Sequence, residues 1–195
     1  MRERGRKASG VPTGGRIRQM MQSSLEASLK ALRSDYIDIV LVHGVSSAEI
    51  LNHDAVKGFF VEAKKKGQIR AAGFSSHRNH VEMVKEANKT NFYDVIMVPY
   101  NHRGSYNHML SGSYNEWDQA ALERELEKAR KNGVAIVAMK TCSGGPFSPE
   151  ENEKATYQKA LEWVLKHDYI KTMAVAMGNV DEINENIRAM NPKRS

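Results

Sequence analysis

The chain has 195 residues, of which 41% are hydrophobic and 27% charged, a composition typical of one globular domain and not of a disordered chain. No segment approaches the ~18 apolar residues of a membrane span, and the N-terminus lacks the apolar core of a signal peptide, so we expect a cytoplasmic protein with no membrane partner. The net charge of +6 is compatible with an anionic cofactor or a nucleic acid, although segments such as EAKKKGQ and EKARKNG indicate solvated helix faces.

Helical and strand patterns alternate along the chain after a basic start. We expect residues 1–15 to be a flexible segment and residues 16–195 to form one domain. Apolar residues at helical spacing predict a first helix over 16–33. They are Ile17, Met20, Met21, Leu25, Leu29 and Leu32. The apolar segment that follows predicts a strand over 36–42, and this strand ends at His43.

The same alternation repeats four more times. The further strands are predicted over 69–74, 94–98, 134–139 and 171–176. The helices between and after them are predicted over 55–67, 80–90, 119–133, 156–168 and 180–190. Strands separated by helices in this way predict an α/β fold with a parallel sheet.

Two architectures fit this alternation, an open doubly wound sheet and a (β/α)₈ barrel. No G-x-G-x-x-G follows the first strand, which argues against a dinucleotide-binding doubly wound sheet. A barrel has eight strands and typically ~250 residues, more than this chain offers. At this point His43 also has two interpretations, a hydrogen-bonded core histidine or a catalytic residue at the carboxyl end of a strand.

Six blocks, in order, resemble the aldo/keto reductase family, whose members are nicotinamide-dependent oxidoreductases on a (β/α)₈ barrel. The blocks are SLEASLKALRSDYIDIVLVHG, GQIRAAGFSSH, VIMVPYN, NGVAIVAMKTCSGG, ALEWVL and GNVDEINENI. The resemblance covers about residues 16 to 190. It implies an α/β fold of the (β/α)₈ TIM-barrel type that is N-terminally incomplete, with about five βα units present.

The resemblance implies that His43 lies beside the substrate carbonyl and stabilises the negative charge that develops on its oxygen. The family's catalytic tyrosine and aspartate come from its first two βα units, for which this sequence offers no counterpart. Lys7 lies at about the separation from His43 that the family's catalytic lysine has. Because Lys7 follows RERGR, which is no buried strand, we favour a terminal cation over a catalytic lysine.

The resemblance also implies that much of a cofactor site for NAD or NADP is present. Its nicotinamide, pyrophosphate and adenosine contacts would be Ser75, Ser76, Met97, Met139, Lys140, Thr141, Cys142, Gly144, Gly178, Asn179, Glu182, Glu185 and Asn186. Family members that prefer NADP usually offer a cation to the 2′-phosphate where this chain has Glu182. A carboxylate repels a phosphate, so the choice between NAD and NADP stays open.

We therefore predict an NAD(P)H-dependent reductase of small aldehydes or ketones that is weak or inactive as this chain alone. Unpaired barrel edges predict a homodimer or aggregation. The first alternative is a non-catalytic barrel that binds a cofactor or regulates a partner. The second is a metal-dependent hydrolase, suggested by loop histidines without a convincing ligand pattern, so we expect no metal. These histidines are His77, His80, His102 and His108. The third is a nucleic-acid binder, for which no recognition motif is present.

Overall fold

Five parallel strands form the sheet that positions the candidate site. A computed structural model of the chain describes residues 12–107 and 112–190. In chain order, all the strands of the described residues are β1 (Ile37–Val42), β2 (Ile69–Ser75), β3 (Val95–Pro99), β4 (Ser105–Asn107), β5 (Tyr114–Glu116), β6 (Ala135–Met139) and β7 (Ile170–Met173). The sheet order is β1-β2-β3-β6-β7, and β4 and β5 form a separate antiparallel pair. The predicted α/β class with a parallel sheet is confirmed.

Helices precede and connect the strands of the sheet. They are α1 (Gly14–Leu32), α2 (Ala48–Leu51), α3 (Asp54–Lys65), α4 (His80–Thr90), α5 (Gln119–Lys131), α6 (Tyr157–Leu165) and α7 (Val180–Met190). Side-chain caps fix where two of them begin: the Asp118 carboxylate accepts a hydrogen bond from the Ala121 N–H at 2.9 Å, and the Thr156 hydroxyl accepts one from the Lys159 N–H at 3.1 Å.

Three elements differ from the sequence prediction. The short helix α2 and the β4/β5 hairpin were not predicted, and the last strand ends at Met173 rather than at residue 176. The strand β7 ends early because of the path of its neighbour β6. After β6 the chain turns away at Lys140, whose φ is +57°, into a 3₁₀ turn over Thr141–Gly144, so residues beyond Ala174 have no β6 backbone to pair with.

The main core lies between the sheet and the helices. Its largest fully buried side chains include Phe60 of α3, Phe74 of β2, Ile96 of β3 and Leu122 of α5. Aromatic rings order this core: Tyr93 packs edge-on against Phe74 with ring centroids 5.2 Å apart. In the two ranges that the structure describes, no helix is both long and apolar enough to cross a membrane.

Both edges of the sheet leave apolar side chains exposed. On α1, the helix that precedes β1, Met20 and Leu32 are 59% and 63% exposed, and Ile39 of β1 is 48% exposed. Beyond β7, α7 exposes one face formed by Val180, Ile183, Ile187 and Met190. These surfaces are where self-association would occur, which stays a prediction.

His80 is a core residue, although the sequence placed it among loop histidines. It opens α4, is 3% exposed and packs edge-on against Trp117 with ring centroids 4.8 Å apart. Neither ring nitrogen has a hydrogen-bond partner among the described residues. Burial, with a smaller contribution from His77, lowers the pKa of His80 to about 4.

We predict that Gly73→Ala destabilises the protein, because an added Cβ would lie 2.2 Å from the Val95 carbonyl oxygen of the neighbouring strand. The expected loss is about 3 kcal/mol of unfolding free energy. Gly15→Ala is the matched control, since a Cβ there meets nothing within 4 Å and alanine favours a helix. Urea unfolding of both variants tests this; equal midpoints would contradict the close approach.

We also predict that burial of neutral His80 makes stability fall in acid. Between about pH 6.5 and pH 4 the unfolded chain takes up a proton that folded His80 does not, so up to about 3 kcal/mol is lost as the pH falls through this window. His80→Phe keeps a ring against Trp117 and removes the titration. Urea unfolding at about pH 7 and pH 4.5 should show a smaller loss for this variant; an equal loss would show that His80 titrates normally.

Candidate functional site

The carboxyl ends of the sheet strands bring the predicted catalytic and nicotinamide residues to one edge. His43 follows β1, Ser75 ends β2 and Met139 ends β6. Because these strands are parallel and adjacent through β3, their carboxyl ends share one edge of the sheet. Met97 of β3 pairs with Ser75 in register, so it lies at the same level of the sheet.

A hydrogen bond between Ser75 and His43 holds the imidazole ring at the end of β2. The Ser75 Oγ lies 3.0 Å from His43 Nδ1 and accepts a hydrogen bond from the Gly44 N–H at 3.2 Å. The Val45 N–H donates to the Ser75 carbonyl at 2.8 Å. Ser75 is 1% exposed, whereas His43 is exposed. The interpretation of His43 as a core histidine is therefore wrong, because its ring is held at the rim of the sheet.

A cavity of about 320 Å³ lies beside the His43 ring. It is lined by His43, Gly44, Ser46, His77, Arg78 and Tyr106. The rings of His43 and His77 meet edge-on with centroids 5.1 Å apart. Its volume suits a small organic molecule. A small molecule bound in this cavity would contact the His43 ring.

Tyr106 is the site residue that the sequence analysis missed. It lies in β4, is 2% exposed, and donates its hydroxyl to the His77 carbonyl at 2.9 Å. The Lys140 ammonium lies 5.6 Å from the centre of the Tyr106 ring, within range of a cation–π contact. Burial raises the pKa of Tyr106, which the nearby Arg78 partly offsets. The tyrosine is thus a neutral hydrogen-bond donor and a poor acid.

A repeated tetrapeptide is the sequence signal that could have revealed this hairpin. GSYN occurs at 104–107 and again at 112–115. The two copies pair antiparallel, with Tyr106 opposite Asn115. Both repeats start with a glycine at positive φ, +63° at Gly104 and +64° at Gly112, a conformation that glycine adopts at little cost.

Asn101 organises the segment that the resemblance assigned to the pyrophosphate. It is fully buried, and its amide donates to the carbonyls of Ser105 at 2.9 Å and Lys140 at 3.1 Å. A Cβ on Gly144 would lie 2.9 Å from the Asn101 Oδ1. Gly144 is therefore needed for packing against Asn101, whatever its role toward a phosphate. Thr141 in the same turn is buried as well.

The predicted adenosine residues surround a second cavity, of about 500 Å³. It is lined by Cys142, Ser143, Tyr157, Ala176, Glu182, Glu185 and Asn186. This volume and polar lining fit a nucleoside. The lining, as far as the described residues show it, contains no lysine or arginine. Burial raises the pKa of the Cys142 thiol, so this side chain is an uncharged wall of the cavity.

Glu182 caps the helix that borders this cavity. Its carboxylate accepts hydrogen bonds from the Gly178 N–H at 2.7 Å and the Asn179 amide at 3.1 Å. In return the Asn179 Oδ1 accepts a bond from the Glu182 N–H at 2.9 Å. This reciprocal pair fixes the first turn of α7 and holds a negative charge at the cavity rim.

Other residues singled out in the sequence do not line either of these two cavities. Ser76 is fully buried and donates to the Arg78 carbonyl at 2.8 Å. Burial lowers the pKa of His102, whose ring packs against Phe147. Lys7 and His108 lie outside the described residues. Within residues 12–107 and 112–190, no group of three side chains is arranged to hold a metal ion.

The sequence matches the model of the aldo/keto reductase family over residues 7–160. Among curated proteins it is similar to the uncharacterized oxidoreductase YqkF of Bacillus subtilis (strain 168), with 23% identity over 191 residues. That match covers 89% of this chain and 61% of the relative. A shorter match of 53 residues, 40% identical, is to the methylglyoxal reductase DkgB of Salmonella typhi, and it covers 27% of this chain and 20% of that protein.

Solved structures share the fold. The holo form of aldo-keto reductase AKR11C1 from Bacillus halodurans superposes with a TM-score of 0.67 at 23% identity, covering 89% of this chain and 60% of that one. The aldo-keto reductase Tm1743, solved with the inhibitor epalrestat, gives a TM-score of 0.63 at 26% identity, covering 91% of this chain and 63% of that one. The chain thus spans about three-fifths of these relatives' length, and its sheet is an incomplete (β/α)₈ barrel.

Proposed function

Because the chain belongs to the aldo/keto reductase family of oxidoreductases, we propose that it carries the carbonyl-polarising and cofactor-binding part of a nicotinamide-dependent reductase of aldehydes or ketones. The observation that supports this most is His43, held by Ser75 at 3.0 Å on the rim of a cavity at the carboxyl edge of a parallel sheet. Chemistry in barrels of this type takes place at that edge.

The chemical role of His43 follows from its position. A nicotinamide cofactor, when bound, supplies the hydride that converts a carbonyl into an alkoxide. The His43 imidazole donates a hydrogen bond toward the carbonyl oxygen and stabilises the negative charge that develops there. The cavity walls formed by Gly44, Ser46 and His77 orient the carbonyl compound beside this ring.

Proton delivery is the step that the described residues support poorly. Tyr106 is the tyrosine that lines the His43 cavity, but burial raises its pKa and its hydroxyl is already bonded to the His77 carbonyl. General acid catalysis contributes typically 10²–10⁴-fold, so without another acid the chain alone should give at most trace turnover.

The cofactor would lie along the sheet edge from Met97 and Met139 to the second cavity. The turn after Lys140 would carry the pyrophosphate, and Glu185 and Asn186 would contact the adenosine. Among the described residues that line this cavity, Glu182 and Glu185 carry negative charge and none is a lysine or arginine, which favours the uncharged 2′-hydroxyl of NAD over the 2′-phosphate of NADP. We therefore assign NADH as the preferred reductant.

The test measures NADH and NADPH oxidation against a panel of aldehydes and ketones. One protein is the 195-residue chain, and the other is a chimera in which the βα units of AKR11C1 that this chain lacks precede Arg16. A barrel has eight strands and this sheet has five, so about three units are added. We expect trace activity from the chain, clear turnover from the chimera, and a KM about five-fold lower for NADH than for NADPH.

His43→Ala in the chimera should lower kcat by about 10²–10³-fold, because the developing alkoxide loses its hydrogen-bond donor. His53→Ala is the matched control, since this imidazole caps α3 by accepting from the Ala55 N–H. Calorimetric binding of NADH shows whether each protein is folded. Robust turnover by the unmodified chain would mean that it contains its own proton donor. Cofactor binding by the chimera without turnover on any carbonyl would favour the non-catalytic alternative.

A further inference from the structure

We propose that Ser75 is a positioning residue that holds the His43 imidazole in the tautomer protonated at Nε2. The resemblance assigns this hydroxyl to the nicotinamide, and the structure shows in addition that it lies 3.0 Å from His43 Nδ1. Its meaning for catalysis rests on the proposed function, but the tautomer itself does not.

The hydrogen-bond pattern at Ser75 decides which atom carries the proton. The Gly44 N–H, 3.2 Å away, can only donate, so the Ser75 Oγ accepts this bond. A serine hydroxyl also has one hydrogen to donate. The other partner of this Oγ is His43 Nδ1 at 3.0 Å. Ser75 is 1% exposed, so its hydroxyl hydrogen has little access to solvent.

Only one of the two neutral tautomers satisfies every group. If Nδ1 carried the hydrogen, the Ser75 Oγ would accept two bonds and its own buried O–H would lack an acceptor, which is costly. If Nε2 carries it, Nδ1 accepts the serine hydrogen and all three groups are paired. The structure thus favours the Nε2–H form of His43.

The backbone around Ser75 is rigid enough to impose this choice on an exposed ring. Ser75 pairs with Met97 in the β2/β3 ladder, and the Ser76 N–H donates to the Met97 carbonyl at 3.0 Å. On the other side the Val45 N–H donates to the Ser75 carbonyl. The hydroxyl therefore lies on a fixed strand end, while the exposed His43 ring makes its other described contact edge-on with the His77 ring.

The tautomer matters because a carbonyl oxygen needs a donor. With Nδ1 bonded to Ser75, the Nε2–H is the remaining polar group of the ring and the one able to meet a ligand in the adjoining cavity. In the opposite tautomer, Nε2 would present a lone pair to the carbonyl oxygen and repel it. Ser75 thereby prepares His43 before any substrate arrives.

The experiment uses the 195-residue chain with ¹⁵N-labelled histidine and records long-range ¹H–¹⁵N correlations at about pH 8.5, where imidazoles are ordinarily neutral. His43→Ala assigns the signals. We expect the Nε2–H pattern for His43 in the unmodified chain, a shift toward the Nδ1–H pattern or an averaged signal in Ser75→Ala, and recovery of the Nε2–H pattern in Ser75→Thr.

Ser76→Ala is the matched control, because this neighbouring serine is equally buried but its hydroxyl bonds to the Arg78 carbonyl. It should leave the His43 signals unchanged. An Nδ1–H pattern in the unmodified chain would overturn the proposal, even if Ser75→Ala failed to fold. An unchanged signal in a folded Ser75→Ala variant would overturn it as well.

Kinetics of the chimera separate this role from cofactor binding. Ser75→Ala should lower kcat about ten-fold or more, as expected when a catalytic imidazole loses its preferred tautomer, with little change in the KM for NADH. A raised KM for NADH at unchanged kcat would overturn the positioning role. If the chimera were inactive, the proposed function would fail while the NMR result still decided the tautomer.

Discussion

The parallel pairing of β1 with β2 is the contact on which the candidate site depends. Val42 pairs with Phe74 at the last position of the ladder, so the chain leaves β1 at His43 directly beside the end of β2. Ser75 then bonds to both the His43 ring and the Gly44 N–H. A shift of the register by one residue would turn Ser75 to the other face of the sheet and separate it from the imidazole.

Because β1 pairs only with β2, it is an edge strand of the sheet, and its other side has no neighbouring strand in the described residues. An edge strand presents backbone groups and apolar side chains that natural proteins normally cover. At the opposite end of the sheet, the exposed face of α7 is in the same situation. Both surfaces agree with a chain that spans about three-fifths of the length of its relatives. Closure of a barrel would cover both edges at once.

The elements of the sheet could be predicted from the sequence because each is a local pattern. The apolar stretch IDIVLV and the helix-strand alternation are readable without knowledge of the fold. Periodicity does not predict the β4/β5 hairpin, because its strands have three residues each. The sequence feature that indicates this hairpin is its GSYN repeat.

The functional assignment of individual side chains was harder to predict, because hydrogen bonds between distant residues decide it. The resemblance placed Ser75 and Glu182 in a cofactor site. The structure shows that one holds an imidazole 32 positions away and that the other caps a helix. Gly144 likewise makes room for Asn101, a residue on another loop. Such constraints appear only when tertiary packing is known.

The central claim, that the carboxyl edge of this sheet binds a nicotinamide cofactor, is tested most directly by methyl NMR of the chain. With ¹³C-methyl methionine, NADH is titrated to millimolar concentration, and Met→Leu variants assign the signals. Met97 and Met139 should shift on binding, whereas Met83, which is buried in α4, should not. Unchanged Met97 and Met139 signals at saturating NADH, or shifts confined to Met83, would contradict the account.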